Sequence, residues 1–264
     1  MRMESRVLEV VIQRFFATAC LALIPGGLAA DVVRDGTIGA DVSVQPTGPD
    51  FVISEDMGKS RGSNLFHSFK EFSLNEHQSA TFTGSSAINN VISRITGGNV
   101  SYIDGLLKSE IPGANLFFLN PDGFVFGSNA ILDVQGTIHV STAQGLGFTD
   151  GQVFSAKDGS TPILSIASPE KFGFIGKAAA PIVLNGSVLE SKHDVVLHAE
   201  DIELNHGARI VTVTEGHEKD GDITLIAQGR VTLSGMDEEG YGAWLRPASM
   251  TVATTVATSI LMPN

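Results

Sequence analysis

Two segments of the chain, 28 residues apart, carry one pattern. Asp194 opens "DVVLHAEDIEL" and Asp222 opens "DITLIAQGRVTL". Aligned on the aspartates, Leu197 matches Leu225 and Ala199 matches Ala227. After a one-residue slip, Ile202 matches Val231 and Leu204 matches Leu233. Looser units surround 131–134 and 182–188. Within a unit, Val195, Leu197 and Ala199 project to one side of an extended strand, and Val196, His198 and Glu200 to the other. A unit this small cannot bury its apolar face alone. Stacked in register, such units build a continuous interior, which is the logic of a solenoid.

The rest of the chain has the same grain. Short apolar runs follow one another ("FVIS", "ATFTG", "NVISRITG", "NLFFLN", "GFVFG", "AILDVQG", "TIHVSTA") and end at Gly, Asn or Asp, residues that close tight corners. The chain has 29 glycines, and its charged fraction of 17% is below the usual quarter. Long segments of helical period are missing; the helical candidates are the N-terminal leader and "INNVIS" at 88–93. The expectation is an all-β protein. With roughly 205 residues in coils of ~20–25, about nine coils follow, and at ~4.8 Å each the rod is roughly 45 Å long. A sandwich or barrel also yields many short strands, and "PDGF" and "LNGS" would serve as its hairpin links, so the pattern by itself leaves that rival open.

The N-terminus reads as a secretory signal over 1–30. Arg2, Arg6 and Arg14 supply positive charge, 15–24 is a short apolar run, and "PGGLAA" offers small residues for cleavage after Ala29 or Ala30. Cys20 is the only cysteine and lies inside this leader, so the mature chain has no disulfide or thiol chemistry. A formal net charge of −12 argues against nucleic acid as a partner.

Candidate chemistry is sparse. Seven histidines (His67, His77, His139, His193, His198, His206 and His217) show no zinc-ligand spacing, and no metal or cofactor is expected. The acidic groups Glu215/Glu218/Asp220/Asp222 and Asp237/Glu238/Glu239 read as polar loops; they lack the regular spacing of a calcium loop. "QGLGFTDG" is not a phosphate loop, because no long helix follows it. Phe66, Phe69, Phe72, Phe117, Phe118, Phe124 and Phe126 read as core and cap packing.

More specific are "NLFHSFKEFSL" (64–74), "SRITGGNVSYIDGLLKS" (93–109) and "GANLFFLNPDGFVFGSNAILDVQGTIHVSTA" (113–143). In this order they resemble the filamentous-haemagglutinin N-terminal domain, the secretion domain of two-partner secretion exoproteins. The convincing coverage is about 35–143; beyond Leu164 the likeness is general β-solenoid character. The resemblance implies a right-handed parallel β-helix with an N-terminal β cap. It implies export across the inner membrane by the general pathway. An outer-membrane β-barrel transporter then recognises the domain through its periplasmic domains, and the chain reaches the cell surface or medium. It also implies an address and a folding template, not an enzyme.

The family's Asn-Pro-Asn-Gly motif falls on Asn120, Pro121, Asp122 and Gly123, with Asp122 the departure. Pro121 would set the first central turn residue and Gly123 would take a positive φ. The family's Asn-Pro-Asn-Leu motif has no clear copy; Asn99, after Arg94, Thr96 and Gly97, is its best remnant. Turn shaping and transporter contact both remain open for these residues. Arg94 would pair with an acid such as Asp104, or present its charge to the transporter. The domain is expected over 31–235 and as a monomer. Residues 236–264 lose the rhythm and read as an atypical tail, either of a short stand-alone exoprotein or of a truncated passenger. Competing functions are an adhesin unit that binds surface carbohydrate or a host ligand, and a β-helix polysaccharide-active enzyme.

Overall fold

The computed structural model describes residues 31–39, 43–156, 162–174, 180–213 and 220–254. The leader expected at 1–30, and Glu215, His217 and Glu218, lie outside the described residues.

The strands stack into parallel ladders on three faces. The first face runs through Asn64–Phe72, Asn90–Ile95, Asn115–Leu119, Ile138–Ser141, Val195–Ala199, Ile223–Ala227 and Met250–Thr254, each parallel to the next. The second takes Ser101–Ile103, Phe124–Phe126, Ile182–Asn185, Ile202–Asn205 and Val231–Leu233. The third takes Asp50–Ser54, Ser79–Thr83, Leu106–Ser109 and Ile131–Asp133, then a separate ladder of Val188–Ser191, Arg209–Thr212 and Trp244–Arg246. The chain visits the third, first and second faces in turn and climbs one rung each time, which makes a parallel β-helix. The antiparallel hairpins that a sandwich would need at "PDGF" and "LNGS" do not form, because those links turn corners between faces.

The repeat seen in the sequence is the stacking register itself. Leu197 lies over Leu225 and Ala199 over Ala227, and past the slip Ile202 lies over Val231 and Leu204 over Leu233. The aspartates meet too: the Asp222 N–H donates to Asp194 Oδ1 at 2.8 Å, 28 residues away. The expected nine coils are seven rungs on the first face among the described residues, because the chain leaves the coil after Ser141 and rejoins it at Ile182. "INNVIS" is strand rather than helix: Val91, Ser93 and Ile95 share one side of Asn90–Ile95 while Ile92 and Arg94 share the other, a period of two. Pairing also continues past 235, where Trp244–Arg246 and Met250–Thr254 add to the third and first faces.

The interior is apolar along its length, with Phe69, Phe72, Phe82, Phe118, Phe124 and Phe126 packed in the first rungs. Each fully buried large side chain of this kind contributes about 1.5–3 kcal/mol. Ring edges and faces mesh there, as where Phe72 meets Phe118 edge-on at 4.6 Å. The N-terminal end is capped by antiparallel pieces: Val32–Arg34 and Lys59–Arg61 both pair with Asn64–Phe72.

The excursion from the fourth rung forms a second, antiparallel sheet of Gly145–Phe148, Val153–Ser155 and Pro169–Gly173. This sheet covers outward-facing residues of the first face. Phe66, Ile92 and Phe117 stack in one outward column and join Leu146, Phe148 and Phe154 in a second core. The alternation is intact there, but both sides are apolar because both sides are covered.

Candidate functional site

The Asn120 turn sits where the first face passes to the second. The Gly123 N–H donates to the Asn120 carbonyl at 3.1 Å, closing the turn, and Gly123 has φ 108°. The Asn120 side chain is fully buried. Its Oδ1 accepts the Asp122 N–H at 3.0 Å. Its Nδ2 donates to the Asn99 carbonyl at 2.9 Å and to Ser101 Oγ at 3.0 Å. Asn120 therefore closes its own turn and clips it to the rung below. The structure brings Asn99 and Asn120 together, although 21 residues separate them. Asp122 contributes its N–H to the turn, not its carboxylate, so the side chain there is free to differ without changing the turn.

Gly97 begins the corner beneath. A Cβ there would lie 2.0 Å from the Lys70 carbonyl oxygen, so the corner closes only around glycine. Asn99 is exposed and donates from Nδ2 to Glu71 Oε1 at 2.7 Å. Exposed Val100 and open Gly98 complete the surface of this corner.

Arg94 lies elsewhere in character. It is fully buried and does not meet Asp104, whose carboxylate instead accepts the Asn129 N–H at 2.8 Å and its Nδ2 at 3.2 Å. The reading that Arg94 presents charge on the surface does not hold in the folded protein. Its Nε donates to Ser68 Oγ at 2.7 Å, its Nη2 to Thr37 Oγ1 at 2.9 Å and its Nη1 to the Ser155 carbonyl at 2.5 Å. The guanidinium carbon lies 5.2 Å from the Phe154 ring centre. Both hydroxyls pass the contact on: Ser68 Oγ donates to Asp35 Oδ2 at 2.5 Å and Thr37 Oγ1 to Asp35 Oδ1 at 2.7 Å. Thr96 Oγ1 adds a bond to Asp35 Oδ2 at 2.9 Å. Burial pushes the Asp35 carboxyl up, but the bonds from Ser68, Thr37 and Thr96 outweigh it and hold the group below its ordinary range.

Sequence reasoning missed Asp35, Thr37 and Ser68, and nothing in their spacing marks them. It also missed an amide ladder whose signal was present. Asn64, Asn90 and Asn115 each open a first-face strand. Asn90 Nδ2 donates to Asn64 Oδ1 at 2.9 Å across 26 residues, and Asn115 Nδ2 to Asn90 Oδ1 at 3.2 Å across 25. The Thr137 N–H, 22 residues on, donates to Asn115 Oδ1 at 3.0 Å.

His67, His139 and His198 pack into the scaffold. His67 points inward in the column His67–Ser93–Phe118, and burial, with the charge of Arg34, pushes it down to about 3. His139 stacks on Phe117 at 4.2 Å, and burial pushes it down to about 4 against the opposing Asp194. Burial alone takes His198 to about 4. These two rings line a groove of about 610 Å³ with Phe117, Phe172 and Ile226. Among the described residues, no group of three or more histidine, aspartate or glutamate side chains is placed to hold a metal ion.

A capped parallel β-helix whose motif residues sit in a turn and a buried polar hub defines a class of β-solenoid scaffolds. The family model of the TPS secretion domain matches residues 30–258, and the chain belongs to that family, the secretion domains of two-partner secretion exoproteins. It is a family of secretion domains rather than of enzymes, and its members are secreted by the two-partner route. No curated protein matches the chain.

Proposed function

We propose that this domain is the address that an outer-membrane β-barrel transporter reads through its periplasmic domains, and that its capped coils nucleate folding of the β-helix after export. On this reading 1–30 is a cleaved signal that delivers the chain to the periplasm, and the domain proper begins at Asp31. The observation that carries the reading is the family match, which spans the β-helix from cap to seventh rung.

The exposed corner of Gly98, Asn99 and Val100, with half-buried Asp122 in the turn clipped to it, supports direct contact in the folded state. Arg94, Thr96 and Asn120 act by holding that corner and the cap in place; a transporter that reads them directly must do so before the chain folds. A binding measurement tests this. The chain without 1–30 is titrated with the purified periplasmic domains of its partner transporter, both folded and under mild denaturant. Binding is expected, weakened at least about tenfold by Asn99→Ala with Asp122→Lys, with the fold intact by circular dichroism. Absence of binding in either state contradicts the proposal.

A further inference from the structure

We propose that Arg94 is the register key of a clasp that closes over the first four rungs, coupling the N-terminal arm to the extra-helical sheet. Rungs of a solenoid resemble one another, and a piece that packs on the outside of one rung could pack on the next. Something must choose. The outward column that contains Arg94 reads Ser68, Arg94, Leu119, Ser141 and His198 from rung to rung. Only the second rung places a cation there, and that is where both outside pieces converge.

The arm arrives from one direction. Thr37 takes Nη2, and Asp35 receives the charge through Thr37 and Ser68. The extra-helical sheet arrives from the other. It leaves the helix at the fourth rung yet folds back toward the cap. Ser155 takes Nη1, Phe154 lies on the guanidinium, and Asn64 of the first rung donates to the Ser165 and Ala167 carbonyls at 3.1 and 2.7 Å. The two pieces also share one small core, in which Ile38 of the arm joins Phe148 and Phe154 of the sheet.

A buried guanidinium makes this coupling strict. Removing one acceptor leaves a buried donor unsatisfied, and the loss is felt by every group that packs on the same side chain. A single buried polar residue that fixes register at a cost in stability has precedent in coiled coils. Here it fixes which rung the clasp closes on. The arm alone has one short strand, and the sheet alone has short strands with no second layer; each needs the key that the other also holds.

Hydrogen exchange on the full chain tests the coupling. Thr37→Val removes the arm's direct bond to Arg94 and, within the arm, the hydroxyl's bond to Asp35. Amides of 32–38 are expected to exchange at least about tenfold faster, and those of 145–155 to accelerate with them although no contact of their own was changed. Arg94→Lys is expected to loosen both segments together while the ladder of Val195–Ala199 and Ile223–Ala227 keeps its protection. Acceleration confined to 32–38 in Thr37→Val overturns the proposal. So does unchanged exchange in both segments. Should Arg94→Lys fail to fold, Thr37→Val and the reciprocal Phe154→Leu, read at 32–38, decide the matter.

Discussion

Asn120 spends every polar atom of its side chain inside the protein. An Asn120→Ala variant removes the turn bond and both bonds to the rung below, leaving the Asn99 carbonyl and Ser101 hydroxyl without them. The expected loss is about 2–4 kcal/mol, read as a lower urea midpoint with an unchanged slope. Gly97→Ala drives a methyl into the Lys70 carbonyl and is expected to cost about 2 kcal/mol or more in the same assay.

The turn was legible in the sequence because Pro and Gly each have one physical reason to stand where they do. Arg94 was not, since arginine is almost never fully buried and its partners come from three distant segments. His67 adds a pH dependence whose sign is fixed. The folded protein takes no proton there until about pH 3, while the unfolded chain takes one below 6.5. Stability is therefore full above 6.5 and falls as pH drops from 6.5 through 3; His139 and His198, at about 4, act in the same direction. Urea midpoints that stay flat from about pH 7 to about pH 4 would contradict the buried, neutral state of these rings.

At the scale of elements, the amide ladder and the extra-helical sheet carry different loads. Asn90 is the middle rung of the ladder, bonded on both sides. Asn90→Leu is expected to lower stability by about 1–3 kcal/mol, chiefly through the neighbouring amides it leaves unpaired, measured by chemical denaturation. Replacing 144–174 by a short glycine-serine linker uncovers Phe66, Ile92 and Phe117 on the outside of the first face. That variant is expected to bind a hydrophobic dye and to self-associate in sedimentation, and a soluble, dye-free monomer would count against the covering role.

The coils were legible because period-two alternation and a repeated corner aspartate both survive in the sequence at 194 and 222. The extra-helical sheet was not. Its strands are as short and glycine-rich as the coil strands, and only the long-range docking of Phe148 and Phe154 distinguishes them. The coil count among the described residues is seven rather than nine for the same reason: residues of the excursion look like residues of the helix.

At the scale of the molecule, a solenoid's stability is a sum of rungs and the interfaces between them. The capped end is therefore where folding is best supported, with the cap strands, the Arg94 hub and the aromatic interior all within the first rungs. On the proposed function, that arrangement suits a domain whose capped end leads the folding of the coils behind it. Export tests the claim most directly. The chain is expressed in a host with and without its partner transporter, and the medium is assayed for the mature protein. The account predicts appearance outside only with the transporter, strongly reduced in the Asn99→Ala with Asp122→Lys variant. Export without the transporter, or retention in the periplasm with the transporter present, would contradict it.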